Sequence, residues 1–175
     1  MRVRVATALA VLLLPLSATG TISLPLSISE LTFRADTIVR GVVVSRVGAW
    51  DKAHRRIRTV TEVRVSESWK GAEGPGAIVR IRQLGGTVGS VTQSVAGDAR
   101  FRLGQEVVVF LRSDPARGLH YMVGMAQGRF GVSGATGKED ARRDLRGLEL
   151  PGDAAPPERM GLADLERQVR ARSAW

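Results

Sequence analysis

Cysteine is absent from this 175-residue sequence, which excludes disulfides and thiolate metal ligands alike. Stability must therefore come from packing. Histidine is nearly absent too, with only His54 and His120 to serve as a base or a metal ligand. His54 is flanked by Lys52, Arg55 and Arg56, with no carboxylate placed to orient it. His120 precedes a strand-like stretch at Tyr121, with Asp114 in the turn before it. A hydrolase would need Asp51, His54 and His120 to converge from separate loops. Neither paired histidines at helical spacing nor alternating aspartates occur, and Glu139, Asp140 and Asp144 lie among Lys138, Arg142, Arg143 and Arg146. The expectation is no catalytic residue, no metal site and no cofactor.

Aromatic residues make up 5% of the chain, too few for a base-stacking platform, so nucleic acid is not an expected partner. Lysine is rare as well: Lys52, Lys70 and Lys138 are the only ones among 26 basic residues. Arginine thus carries nearly all of the formal charge of +9, dispersed along the chain and mixed with acids. No apolar run reaches the roughly 20 residues of a membrane span.

The longest apolar stretch, Val5 to Leu16, follows Arg2 and Arg4 and precedes small residues at Ala18 and Gly20. A basic start, a short apolar segment and a small-residue cut site are the parts of a secretory signal peptide. Residues 1–20 are read as that signal, with Thr21 as the new N-terminus and a periplasmic or extracellular destination. No cysteine follows to take a lipid and no twin arginine precedes, so no stable membrane anchor is expected after cleavage. The oligomeric state is left open.

Ser27 and Glu30 have capping-box spacing ahead of Ile28, Leu31 and Ala35, predicting a short helix over about 27–35. Thr37 to Val47 reads as a strand. From Ile57 to Trp69 the odd positions are Ile57, Thr59, Thr61, Val63, Val65 and Trp69, whereas Arg58, Glu62, Arg64, Ser66 and Ser68 fill even ones. That alternation predicts a long strand with one wet face. Glycines and Pro75 between Lys70 and Gly76 end it, and Ala77 to Leu84 follows as another strand. Gly85, Gly86 and Gly89 read as turn residues rather than a phosphate loop. Ser90 to Val95 is a further short pairing segment. Val107 to Leu111 is a continuous apolar run, predicting a strand buried on both faces. Tyr121 to Met125 and Arg129 to Val132 are shorter strands.

Residues 134–159, rich in Gly, Pro, Ala and charge, read as a flexible linker. Leu162, Leu165 and Val169 at helical spacing then predict a C-terminal helix over 160–172. The expected fold is mainly β: a small, closed or partly open antiparallel barrel of OB type over 21–133, with one short helix near each end.

The order Ala35 to Val43, then Val63 to Gly71, then Gly104 to Leu111 resembles the netrin-like and tissue-inhibitor-of-metalloproteinase barrels of OB type. The stretches Gln83 to Gly86, Gly104 to Val107 and Val123 to Gly128 resemble an uncharacterised family of exported bacterial proteins. These resemblances imply fold and location, and no reaction. Inhibition in the manner of the metalloproteinase inhibitors requires an N-terminal cysteine, which this chain lacks.

Arg58, Arg64, Arg80 and Arg82 fall on the wet face of the second and third strands and are the candidate binding residues, through charge rather than base recognition. The sequence therefore points to an exported, non-enzymatic binding or accessory module that contacts another exported protein or an anionic envelope polymer. The alternative is an inhibitor or chaperone of an exported protease.

Overall fold

The computed structural model describes residues 21–151 and 158–173, so the expected signal peptide, Met1 to Gly20, lies outside the described residues. The chain is mainly β. In order it forms β1 (Thr21–Ile22), α1 (Ile28–Arg34), β2 (Thr37–Trp50), β3 (Ile57–Lys70), β4 (Ile78–Leu84), β5 (Gly86–Val88), β6 (Val91–Gln93), β7 (Glu106–Asp114), β8 (Leu119–Met122), a single 3-10 turn (Met125–Gly128), β9 (Arg129–Ser133), β10 (Asp140–Arg143), β11 (Leu148–Glu149), β12 (Arg159–Gly161) and α2 (Leu162–Ser173).

The start of α1 follows from its cap: the Glu30 amide donates to Ser27 Oγ at 3.2 Å while the Ser27 amide donates to Glu30 Oε2 at 2.8 Å. β2 and β3 form a long antiparallel hairpin, and the principal sheet runs β12-β10-β9-β7-β2-β3-β4-β8. Strand β8 also pairs with β7, so β7, β2, β3, β4 and β8 make a ring of five strands. Closure between β4 and β8 is a single parallel pairing, Ile81 with His120, so the ring is not antiparallel throughout.

One edge of β7 pairs with β2, and the other is divided between β9 at Val107–Val109 and β8 at Leu111–Asp114. A central strand hemmed in this way must be apolar on both faces, as the Val107–Leu111 run predicts. Val107, Val109 and Leu111 join Val39, Val43, Val63, Val79, Ile81 and Phe101 inside the ring. Val108 and Phe110 point the other way, into a second core with Leu31, Ile38, Phe130, Leu165 and Val169 under the two helices. The C-terminal helix is therefore docked on the sheet.

The structure differs from expectation at two places. Trp69 belongs to the helix-side core, although it shares odd parity with the ring-facing Val63 and Val65. The register jumps between them, with Gly41 opposite Val65 but Arg40 opposite Glu67, and the bulge at Ser66 shifts the parity so that Trp69 faces the other side. The second difference lies within 134–159, read as a flexible linker. Residues 140–143 are a sheet strand, paired to β9 and β12, with Ala141 and Arg143 buried. A strand whose buried positions carry Ala and Arg shows no apolar alternation, so its composition resembles a linker.

An arginine-lined candidate binding cleft

β2 and β3 are each fourteen residues long, but β7 pairs with β2 only as far as Val42. Val43 still exchanges backbone hydrogen bonds with Gly104 and Gln105, and past it no strand of the principal sheet pairs with β2 on that side among the described residues. The chain from Ser94 to Gln105, the β5–β6 hairpin and the β9–β10 pair instead border a cleft of about 920 Å³. A kink lets the β5–β6 hairpin begin: Gly86 has φ of +133°, and a Cβ there would lie 2.1 Å from Thr59 Oγ1.

Seven arginines line the cleft against three acids, Asp98, Asp144 and Glu158. Of the seven, only Arg146 forms an ion pair among the described residues, clasping Asp144 through Nε at 2.8 Å and Nη2 at 2.6 Å. That hydrogen bonding, working against partial burial, holds the Asp144 carboxyl at about 2. Asp98 behaves oppositely: burial pushes its pKa up, and hydrogen bonds from the Ala99 amide and the Gln83 side chain offset this only in part.

Arg129 and Arg143 are the two buried members, and each keeps buried guanidinium nitrogen without a hydrogen-bond partner, Nε in Arg129 and Nε and Nη2 in Arg143. Arg129 is 6% exposed and has no carboxylate within ion-pair distance among the described residues. Burial lowers its pKa, with Asp144 opposing and Arg102 reinforcing the shift. Its guanidinium carbon lies 5.8 Å from the Phe101 ring centroid. The local sequence explains the placement. In Arg129-Phe130-Gly131, alternation sends Phe130 to the helix-side core and leaves Arg129 and Gly131 on the ring side. A Cβ at Gly131 would lie 3.4 Å from both Arg129 Nη1 and Nη2 and 2.9 Å from Gln105 Nε2. Glycine thus leaves room for the guanidinium and the amide to meet. Gln105 Oε1 is likewise buried and unpartnered.

Arg143 is buried too, at 1% exposed, but it is cross-strand to Phe130 and shares that helix-side face. Its guanidinium stacks 4.8 Å from the Phe130 centroid, and Nη1 donates to Leu26 O at 3.3 Å and Gln127 O at 3.5 Å. Burial lowers its pKa to about 10. Arg143 thus ties the N-terminal segment to the sheet, whereas Arg129 has no such partner.

Arg58, Arg64, Arg80 and Arg82 do share the outer face of β3 and β4, where Arg80 lies 3.7 Å from Glu62. None of them lines the cleft. Asp51 and His54 lie in the turn at the start of β3. His120, in β8, is instead held by Glu73, 3.3 Å away in the turn that follows β3. The structure does not bring these three together. Glu139, Asp140 and Asp144 are each engaged by a different arginine, Arg40, Arg159 and Arg146 respectively. Among the described residues no group of three or more potential metal ligands is found.

The cleft residues were missed in the sequence because Arg129 looks like one more dispersed arginine. The available signal was an arginine in step with a glycine on the inward side of a strand. No family model matches the chain, and no curated protein matches it.

Proposed function

We propose that this chain is an exported, non-enzymatic binding module that holds an anionic ligand in the arginine-lined cleft. One observation carries the reading: Arg129 is a buried cation that no carboxylate among the described residues reaches within ion-pair distance, Asp144 acting on it only from further off. Buried charges in folded proteins are usually paired, because desolvating an ion without a partner is strongly unfavourable. A ligand anion supplies the missing partner. The flanking Arg46, Arg100, Arg102 and Arg142, none of which forms an ion pair among the described residues, add an attractive field around it.

We further read the five-stranded ring as an OB-type barrel, and the ligand as belonging to an exported protein or an envelope polymer. Export itself is tested by the mass of the protein recovered outside the cytoplasm, which should begin at Thr21. Binding is tested by thermal unfolding in graded sulfate, phosphate and citrate at constant ionic strength. A ligand at a hundred times its Kd stabilises by about 2.7 kcal/mol. The midpoint should rise in the wild type and in a variant lacking Arg58, Arg64, Arg80 and Arg82, but not in Arg129→Met. An equal response in Arg129→Met would refute the cleft as the site.

A further inference from the structure

Resting on that reading, we infer that the cleft takes an acidic saccharide, a uronate-type chain whose carboxylate meets Arg129 and whose neighbouring hydroxyl meets Gln105. The two polar heads that meet around Gly131 set the chemistry. Arg129 has only donors to offer, its Nε is buried without a partner, and a planar guanidinium matches a carboxylate through two parallel hydrogen bonds. Gln105 differs in kind. Its amide carries donors and an acceptor whichever way it is turned, and its buried Oε1 has no partner. A bare anion satisfies the guanidinium and the amide N–H groups but leaves that acceptor orphaned. A ligand with a donor beside its anionic group satisfies every atom. A sugar acid places hydroxyls next to a carboxylate throughout its length.

The rest of the cleft agrees. Thr59, Gln83, Thr87, Thr92, Gln93 and Ser94 give it polar walls, most of whose side chains are held in place by hydrogen bonds within the protein. Its one aromatic, Phe101, lies beneath Arg129 and offers no free face for a nucleobase. The volume exceeds the needs of a single small anion and falls in the range of multi-group ligands. Arg46, Arg100, Arg102 and Arg142 are exposed and without ion pairs, available to the repeated charges of a chain.

The test is calorimetric titration of the full protein with galacturonate oligomers. Polyacrylate of equal charge, which lacks hydroxyls, and methyl-esterified galacturonate oligomers, which lack charge, are titrated beside them. The saccharide acid should bind at least about tenfold more tightly than either comparison. Arg129→Met should abolish that binding, and Gln105→Met should erase the margin over polyacrylate. Equal binding of polyacrylate and galacturonate would overturn the saccharide assignment while leaving anion binding intact. No binding of any anion would overturn both. The comparison among probes uses the wild-type protein, so its outcome does not depend on a variant folding.

Discussion

Replacing Arg129 by Met should stabilise the unliganded protein. Arg129 is 6% exposed and has no carboxylate within ion-pair distance among the described residues, and burial lowers its pKa, so its charge opposes folding. Its compensation is the Phe101 ring, 5.8 Å away and near the limit of such contacts, worth about 0.5 kcal/mol. Exchanging even a paired buried ion for an apolar group of similar volume is commonly neutral or stabilising by about 1–4 kcal/mol. Met fills much of the same space beside Phe101 and Gly131. A net gain of about 1–2 kcal/mol is expected, which for a domain of this size raises the midpoint by about 2–8 °C. Urea titration should show the same change as a higher midpoint at unchanged slope. Arg64→Met, on the exposed outer face, is the control and should stay within about 0.5 kcal/mol of wild type. Added sulfate should close the gap, because only the wild type gains from the anion. A loss of more than about 1 kcal/mol in Arg129→Met would refute the reasoning, since it would make the cation a support of the fold.

Three further perturbations read other parts of the structure. Arg40 reaches Glu106 at 2.7 Å, Glu67 at 3.1 Å and Glu139 at 3.3 Å, pinning β2 to β3, β7 and the segment before β10. Arg40→Met should cost about 1–2 kcal/mol at neutral pH by urea denaturation, a figure kept low because Glu67 and Glu106 are a third or more exposed. Burial pushes Glu139 up, but backbone amides and Arg40 outweigh it and hold its pKa below the ordinary value. The stability this supplies is present above the usual carboxylate range and is lost as pH falls, so the Arg40→Met deficit should shrink below about pH 4. A deficit that does not change with pH would reject the charge account. Asp98 has the opposite sign: its raised pKa makes its contribution greatest below the usual aspartate range and lost as pH rises. Asp98→Asn should therefore flatten the decline in midpoint between acid and neutral pH, and an unchanged decline would count against it. Finally, Ala141→Asp places a charge in the helix-side core and should cost about 3 kcal/mol or more in thermal unfolding. A loose linker there would lose almost nothing.

The legible part of the fold was the part built on apolar alternation. Ring-facing Val63, Val65, Val79 and Ile81 announce their strands by period two, and Val107–Leu111 announces burial on both faces by having no period at all. Ser27 and Glu30 announce the helix cap by spacing. β10 was illegible for the converse reason, since Ala141 and Arg143 occupy its buried positions. Trp69 was misassigned because parity counts residues and a bulge inserts one. The candidate site was harder still. Arg58, Arg64, Arg80 and Arg82 stood out because they fill the polar half of an alternation, whereas Arg129 and Gln105 belong to different strands and chain segments, and only the tertiary fold places them around Gly131.

The cleft itself follows from unequal strand lengths. β2 and β3 each run for fourteen residues, but β7 has nine and β4 has seven, so the ring can close over only part of the hairpin. Past Val43, whose backbone bonds Gly104 and Gln105, the remainder of β2 to Trp50 presents an edge that no strand of the sheet pairs with on that side among the described residues. Bare edges invite pairing with another chain. Here the edge carries Arg46, and the facing wall carries Arg129 and Arg142. Charge on both sides of the gap discourages a neutral strand from adding to it and favours an anion that spans it. The same arrangement that keeps the unpaired hairpin from aggregating therefore concentrates the cationic groups where a ligand can reach them. Arg46→Ser, which removes the one charge that the hairpin brings to the cleft, should lower affinity for the galacturonate oligomer while leaving Arg129 in place.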